Sequence, residues 1–160
     1  MKSQNLKNEL PNFQLMSTSG KIITNDYILG KKVVFFIYPK NDTSSCTKEA
    51  QSFSDSKQAF QDLGIEVFGV SKDSIASHKK FIAKHALTIE LLSDESIEFL
   101  NQIGSWVEKS MYGKKYMGIE RTTFLISEHG EIFKIWRKVK VPGHIQEVLT
   151  FAQQKFGFSN

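Results

Sequence analysis

The feature that most constrains the fold is an unbroken apolar run at residues 33–38, Val-Val-Phe-Phe-Ile-Tyr. A continuous succession of β-branched and aromatic residues predicts a strand buried on both faces, as in a parallel sheet. Pro39 follows the run and is expected to end the strand, because proline cannot donate a ladder hydrogen bond. The run is far shorter than the roughly 20 residues that a helix needs to cross a bilayer, so we expect no membrane association.

Strand and helix signals alternate on either side of this run. The first 30 residues show short strand patterns around a turn at 18–20, which predicts an N-terminal β-hairpin. The other predicted elements are a helix over 44–63, a strand over 65–70, a helix over 75–85, a strand over 87–92, a helix over 96–103, a hairpin of strands 122–126 and 131–136, and a last helix from Pro142. This alternation predicts an α/β protein with a mixed central sheet and helices on both faces. The thioredoxin-like fold is one such arrangement, although the pattern alone does not select it.

Length and composition fit one folded domain over residues 1–160. Hydrophobic residues make up 40% of the chain and charged residues 24%, and no repeat or low-complexity segment suggests a linker. The net charge is +4, and the one tight basic cluster lies at 137–140. A solvated strand end explains that cluster better than a nucleic-acid site does. The N-terminal segment lacks the apolar stretch of a secretory signal, so we expect a cytoplasmic protein.

The chain contains a single cysteine, Cys46. It therefore forms no intrachain disulfide and no zinc site built on cysteines. The four histidines show no HExxH pattern. His78 and His85 are placed to share a helix face, but nothing nearby completes a set of metal ligands. We expect neither a metal nor another cofactor.

Cys46 is placed in the first turn of the predicted helix, just after the buried strand. Helix N-termini carry unpaired N–H groups and the positive end of the helix dipole. That setting favours the thiolate, which is the nucleophilic form of cysteine. A lone cysteine is more often a small buried hydrophobic residue, but the polar neighbours Thr43, Ser44, Ser45 and Thr47 do not suit an inert core position.

The residues around Cys46 form an extended motif. Pro39 is followed four positions later by Thr43 and three positions after that by Cys46, and Glu49-Ala50 comes next. The matching segments further along the chain are 112–118 (YGKKYMG), 121–126 (RTTFLI), 136–140 (WRKVK) and 143–144 (GH). Together they resemble the peroxiredoxin family, and within it the bacterioferritin-comigratory (PrxQ) subfamily, over about residues 8–150.

This resemblance implies a thioredoxin-like fold, reduction of hydrogen peroxide or organic hydroperoxides, and a role for each motif residue. Cys46 would attack the peroxide and become a sulfenic acid. Arg121 would favour the thiolate and hold a peroxide oxygen, Thr43 would hydrogen-bond the substrate, and Pro39 would restrict water. Glu49 would orient Arg121. Without the motif, these residues are simply a surface arginine, a helix cap, a strand terminator and a solvated helix residue.

Two departures from the subfamily pattern change what is expected. Ser44-Ser45 replaces the Pro-Gly that many members carry before the cysteine. Gln51 stands where many members have a resolving cysteine, five residues after the nucleophile. The catalytic cycle therefore needs an external thiol, from thioredoxin, glutaredoxin or glutathione. We expect a monomer or a weak dimer.

Two other functions compete with a peroxidase. A redox-sensing protein would pass oxidation from Cys46 to a client protein instead of turning over. A hydrolase with a Cys-His pair would need a histidine beside Cys46, and the sequence shows no evident partner.

Overall fold

The computed structural model describes residues 9–157. Its strands are β1 (Gln14–Ser17), β2 (Ile22–Thr24), β3 (Lys32–Ile37), β4 (Ile65–Ser71), β5 (Glu90–Ser93), β6 (Trp106–Met111), β7 (Lys114–Ile119), β8 (Thr122–Ile126) and β9 (Ile132–Trp136). Its helices are α1 (Asn25–Ile28), α2 (Ser44–Asp55), α3 (Lys57–Asp62), α4 (Ile75–His85), α5 (Glu98–Gln102) and α6 (His144–Phe156). Over this range, no helix has both the length and the apolar character that a bilayer crossing requires.

A mixed sheet of seven strands, in the order β2-β1-β5-β4-β3-β8-β9, organises the fold. Strand β3, in the interior of the sheet, pairs in parallel with β4 and antiparallel with β8. The N-terminal hairpin of β1 and β2 joins the sheet through an antiparallel pairing of β1 with β5. The α/β class, the mixed central sheet and the N-terminal hairpin are confirmed. The prediction of a single domain over residues 1–160 stays a prediction.

Two apolar cores cover the two faces of the sheet. Successive residues of a strand point to opposite faces. Accordingly, Val34 and Phe36 of β3 pack with Phe53 and Phe60 of α2 and α3 and with parts of α4 and α6. Their neighbours in β3 pack on the other face with residues of α5 and α1. The prediction of helices on both faces is therefore confirmed, as is the prediction that residues 33–38 are buried on both sides.

The predicted helix over 44–63 is wrong in one respect, because it is two helices separated at Ser56. The backbone at Ser56 has φ −95° and ψ 6°, outside the helical range. Serine competes for backbone hydrogen bonds and is a weak helix former in helix interiors, and Ser52, Ser54 and Ser56 are closely spaced here. Gly64 lies just beyond the end of α3 with φ +76°, the position predicted for it.

Two predicted elements are shorter than expected because side chains bond the backbone next to them. The strand predicted over 87–92 begins only at Glu90, since Ala86 is left-handed and the Thr88 N–H donates to Ser54 Oγ at 3.1 Å. The helix predicted over 96–103 begins at Glu98, because the Asp94 carboxylate accepts from the Ser96 hydroxyl at 3.2 Å and from the Leu100 N–H at 2.8 Å. The last helix begins at His144 rather than at Pro142. The helix over 75–85, the strand over 65–70 and the hairpin of β8 and β9 are confirmed.

A hairpin of β6 and β7 was not predicted from the sequence. It forms a separate two-stranded sheet that turns at Tyr112-Gly113. Both turn residues have positive φ, at 52° and 79°, as a two-residue hairpin turn of type I′ requires. Most of its side chains are exposed, so neither strand shows the apolar alternation that would reveal it. This hairpin leads directly into Arg121.

Candidate active site

Cys46 lies in the first turn of α2, beneath the surface of the protein. Strand β3 ends at Ile37, a loop over 38–43 crosses the carboxyl edge of the sheet, and Thr43 occupies the N-cap position of α2. The helix begins here because the Thr47 N–H donates to Thr43 O at 2.8 Å. Cys46 is only 1% exposed, so the side chains that surround it decide how the thiol behaves.

Arg121 is the side chain in direct polar contact with this thiol. Its Nη2 lies 3.4 Å from Cys46 Sγ, although the two residues are 75 positions apart in the sequence. The sheet explains the contact: Ile37 of β3 pairs with Thr122 of β8, so the residue just before β8 lies beside the end of β3. The predicted proximity of Cys46 and Arg121 is therefore found in the structure.

Glu49 holds the other side of the same guanidinium. It lies one turn after Cys46 on α2 and is fully buried, and its Oε1 accepts from Arg121 Nη1 at 2.6 Å. Its Oε2 is buried without a hydrogen-bond partner among the described residues. Burial raises the pKa of Glu49 to about 7, against the opposing charge of Arg121. Burial alone would lower the pKa of Arg121, but the facing Glu49 and Cys46 outweigh it and raise that pKa.

Thr43 and Pro39 belong to the loop that leads into the first turn of α2 before Cys46. The N-cap position predicted for Thr43 is confirmed, but its side chain makes no capping bond and instead donates to Lys40 O at 3.0 Å. Thr43 is exposed, and its hydroxyl oxygen retains acceptor capacity. Pro39 is half-buried and lines an open cleft of about 440 Å³ together with Arg121, Val107 and Val139. We call this space the Pro39–Arg121 cleft.

A buried polar network fixes the loop that carries Pro39 and Thr43, and the sequence analysis missed it. Asn41 accepts from the Tyr38 hydroxyl at 2.6 Å, and its side-chain amide lies 3.0 Å from His78 Nδ1. Its backbone N–H donates to Asp73 Oδ2 at 2.9 Å. His78 Nε2 lies 2.9 Å from Leu92 O, a pure acceptor, so this nitrogen carries the proton and Nδ1 accepts from Asn41.

Burial agrees with that assignment, because it lowers the pKa of His78 and keeps the ring neutral. A second anchor lies next to the network, where Asp42 has a left-handed backbone with φ 63°. Its carboxylate accepts from Lys84 at 2.7 Å and lies 2.9 Å from His85 Nε2. The loop is thus tied to α4 at two consecutive residues. The spacing of Asn41 and His78 in the sequence gives no signal of this contact, which only the fold creates.

The histidines take structural positions. Among residues 9–157, none hydrogen-bonds to Cys46, so the structure does not supply the pair that a Cys-His hydrolase needs. His144 is buried at the start of α6, where its Nε2 lies 2.8 Å from Thr123 Oγ1. Burial lowers the pKa of His144 to about 4. In the described part of the chain, no three His, Cys, Asp or Glu side chains are grouped closely enough to hold a metal ion.

Comparison with known proteins decides the family. The model of the AhpC/TSA family matches residues 6–135. The Bcp protein of Coxiella burnetii is 47% identical over 139 residues, covering 87% of this chain and 92% of its own length. Peroxiredoxin Bcp of Bacillus subtilis is 42% identical, covering 87% and 88%. The chain belongs to the AhpC/TSA family and is a peroxiredoxin of the Bcp/PrxQ type.

The solved structures agree with this peroxiredoxin in fold. The bacterioferritin comigratory protein of Xanthomonas campestris superimposes with a TM-score of 0.86 at 34% identity, covering 92% of this chain and 98% of that one. The thioredoxin-like fold implied by the motif is therefore confirmed. The one-cysteine type fits the sequence, since Gln51 is an exposed residue of α2 and the chain holds no second thiol.

Proposed function

We propose that this peroxiredoxin reduces hydroperoxides with Cys46 as its nucleophile and with an external thiol as the electron donor. The observation that carries the proposal is the contact of Cys46 Sγ with Arg121 Nη2 at 3.4 Å, in the first turn of α2. A guanidinium is always protonated in proteins, so a positive charge faces the nucleophilic sulfur at every physiological pH.

In the first step the Cys46 thiolate attacks the terminal oxygen of the hydroperoxide. The O–O bond breaks, an S–O bond forms, and one proton is taken up, so that thiolate, hydroperoxide and proton give a sulfenic acid and an alcohol or water. The sulfur is oxidised and the peroxide is reduced. Negative charge develops on the leaving oxygen, which is where hydrogen-bond donors lower the barrier.

The neighbouring residues supply those donors and limit the water. Arg121 contacts the sulfur and also lines the Pro39–Arg121 cleft, so the same guanidinium is placed to hold a peroxide oxygen. The Thr43 hydroxyl both donates and accepts, as a hydroperoxide requires. The backbone N–H of Cys46 adds a donor, and Pro39 shields one side. Glu49 acts on the reaction through Arg121, because its Oε1 fixes the guanidinium from behind.

Alkyl hydroperoxides as well as hydrogen peroxide suit this cleft. The bacterioferritin comigratory protein of Xanthomonas campestris has alkyl peroxide reduction activity. Here the cleft of about 440 Å³ carries the apolar side chains of Val107 and Val139 beside the charged site. These side chains favour an organic substituent on the peroxide.

The second half of the cycle needs a thiol from outside the chain. The chain contains one cysteine, so the Cys46 sulfenic acid has no internal partner. An external thiol condenses with it to a mixed disulfide and releases water, and a second thiol then frees Cys46. Without a thiol, excess peroxide drives Cys46 to sulfinic or sulfonic acid.

The test uses one equivalent of peroxide on the wild-type protein and on Cys46→Ser. We expect wild-type protein to gain one oxygen by mass and to react with a dimedone-type reagent, and Cys46→Ser to do neither. With excess peroxide and a thiol donor, wild-type protein is expected to consume many equivalents. Absence of both the added oxygen and the dimedone adduct would refute the assigned nucleophile. Consumption of about one equivalent would instead favour the redox-sensing function.

A further inference from the structure

Besides Arg121, the Pro39–Arg121 cleft carries three lysines that the reaction with peroxide does not use. We propose that it binds the reducing thiol, and that this thiol is a small molecule that carries carboxylates. The inference rests on the proposed function, because it concerns the step that removes oxygen from the Cys46 sulfenic acid. It selects one chemical class from the external thiols that the chain could use.

The cleft lies next to the oxidised sulfur. The β6–β7 hairpin forms one wall and the segment after β9 forms the other. Arg121 belongs to the lining, and its second nitrogen lies 3.4 Å from Cys46 Sγ. The Val139 N–H donates to Arg121 O at 3.0 Å, which fixes the second wall to the same residue. A thiol held in this cleft therefore lies beside the same guanidinium group that contacts the sulfur.

The lining has an excess of positive charge. Besides Arg121 it includes Lys109, Lys138 and Lys140, set against Glu108 and Glu120. Glu108 is already engaged, since its carboxylate lies 3.6 Å from Lys115 on the neighbouring strand. Arg121 is likewise paired with Glu49. Among the described residues, these pairs leave the three lysines facing one carboxylate that forms no ion pair, Glu120, and hence a field that attracts anions.

The backbone supports the placement of one of these lysines. Lys138 has φ 50°, a left-handed conformation that a residue with a side chain rarely adopts. Strained residues of this kind persist where the surrounding structure holds them, often at functional sites. Here the bond from Val139 N–H to Arg121 O holds the adjacent residue. The basic cluster of the sequence thus becomes part of a cleft wall.

The size of the cleft favours a small molecule. Sites for small ligands are concave and measure about 300–1,000 Å³, and this cleft measures about 440 Å³. A protein reductant would instead dock over a broader surface, although a transient redox complex buries less than about 1,200 Å² in total. A carboxylate-bearing thiol, of which glutathione is the available probe, matches both the volume and the charge.

The chemistry of the step balances without another reactant. The bound thiol attacks the Cys46 sulfur, an S–S bond forms, the S–O bond breaks, and water leaves. A second molecule of the thiol then attacks the mixed disulfide, which regenerates the Cys46 thiol and releases the symmetrical disulfide of the small molecule. Two thiols are oxidised for each sulfenic acid reduced.

The experiment compares three thiols that differ in charge. Cys46 sulfenic acid is formed with one equivalent of peroxide and mixed rapidly with glutathione, 2-mercaptoethanol or cysteamine, which are net negative, neutral and positive. Rates are divided by the thiolate concentration of each reagent. At low salt we expect glutathione to exceed cysteamine by about tenfold or more. The ratio should fall towards one at about 1 M salt, where charges are screened within roughly 3 Å.

Two matched charge-reversal variants test whether the cleft lysines cause the preference for a negatively charged thiol. Lys138→Glu with Lys140→Glu changes two exposed cleft lysines and should lower the glutathione rate by about tenfold. Lys79→Glu with Lys80→Glu makes the same change at two exposed lysines of α4 and should leave the order of the three thiols as in wild type. The proposal is overturned by equal rates for the three thiols, or by an unchanged order in the cleft variant.

Two further measurements separate this proposal from the proposed function. S-methylglutathione cannot react, so its binding to the reduced protein tests the cleft even if no sulfenic acid forms. We expect saturable binding that the cleft variant loses and the α4 variant keeps, and no binding at all would overturn the proposal. A thioredoxin-type protein that outpaces glutathione, with a rate independent of Lys138 and Lys140, would also overturn it.

Discussion

Cys46 and Glu49 share one guanidinium group. They lie one turn apart on α2, and Arg121 contacts the sulfur of the first at 3.4 Å and the carboxylate of the second at 2.6 Å. The carboxylate fixes Arg121 in the orientation in which its other nitrogen faces the sulfur. The planar fork of arginine makes both contacts at once, and the single ammonium of lysine has no such geometry.

We therefore expect Arg121→Lys to slow the oxidation of Cys46 although the charge is kept. A hydrogen bond to a charged group is worth about 1.5–3 kcal/mol, and each 1.36 kcal/mol corresponds to about tenfold in rate. A loss of about tenfold or more in the second-order rate with peroxide is expected, measured by stopped flow. Arg137→Lys is the control, because Arg137 donates to Ile103 O and does not contact Cys46. Equal rates in Arg121→Lys and wild type would remove Arg121 from the site.

Glu49 is expected to weaken the fold as the pH rises. Burial raises its pKa from 4.5 to about 7, so the unfolded chain loses this proton at a lower pH than the folded one. The contribution of Glu49 to the free energy of unfolding is fully present below pH 4.5 and is lost as the pH rises through 7. The loss amounts to at most about 3 kcal/mol. Glu49→Gln should remove this slope in urea unfolding, whereas Glu95→Gln, at an exposed position, should keep it. A slope unchanged in Glu49→Gln would contradict the assignment.

His144 should act in the opposite direction. Burial lowers its pKa from 6.5 to about 4, so the unfolded chain binds its proton at a higher pH than the folded one. The contribution of His144 to the free energy of unfolding is fully present above pH 6.5 and is lost as the pH drops towards 4. This loss is again at most about 3 kcal/mol. Between pH 4.5 and 6.5 the contributions of Glu49 and His144 to stability change with pH in opposite directions. A variant that removes one of the two groups should therefore show the pH dependence of the group that remains.

His144→Gln is the variant that tests this, since its amide keeps a partner for Thr123 Oγ1. Its stability should rise on acidification over the interval where that of Glu49→Gln falls. His129→Gln serves as control, because His129 is exposed in the turn between β8 and β9. Parallel unfolding curves for His144→Gln and His129→Gln across this interval would show that His144 does not titrate as proposed.

The loop before Cys46 should depend on a residue that never contacts the thiol. His78 bonds both Asn41 and the backbone of Leu92 in the buried network, and leaving such groups unpaired costs about 1–3 kcal/mol. We expect His78→Phe to lose that much stability and to oxidise more slowly at a pH where it is fully folded. His85→Phe loses only the pair with half-exposed Asp42 and should change stability by less than about 1 kcal/mol. Equal losses in the two variants would show that the network does not position the loop.

The sequence predicted the elements whose signals are local. The apolar run at 33–38, the periodic helix over 75–85 and the turn at Gly130 each carry their own signal, and all three are found. The family motif also predicted that Arg121 would lie beside Cys46, which the register of β3 and β8 produces.

What the sequence did not reveal depends on contacts between distant segments. The late start of β5 involves the Ser54 side chain of α2, which accepts from the Thr88 backbone. The Asn41–His78 contact joins residues 37 positions apart, and neither residue type predicts it. The β6–β7 hairpin is exposed on both sides, so it lacks the alternation that burial imposes on a sequence. These features arise only when the fold brings the segments together.

Restoring a second thiol tests how firmly α2 holds Cys46. Gln51 is exposed while Cys46 is buried, and residues five apart on a helix have Cα atoms about 8–9 Å apart. Cysteines whose Cα atoms are more than about 7 Å apart form a disulfide only after the backbone moves. Unwinding the first turns of α2 would also break the Glu49–Arg121 ion pair.

We expect Gln51→Cys, treated with one equivalent of peroxide, to form an internal disulfide and to lose helical signal in circular dichroism as it does so. It should then resist conversion to sulfinic acid under excess peroxide, because the sulfenic acid is consumed first. Gln58→Cys, at an exposed position of α3, adds a thiol without placing it near the sulfur and should overoxidise like wild type. Mass spectrometry under non-reducing conditions distinguishes the two products. A sulfenic acid that persists in Gln51→Cys, with the helical signal intact, would mean that α2 does not open and that an external thiol must reach Cys46 within the folded site.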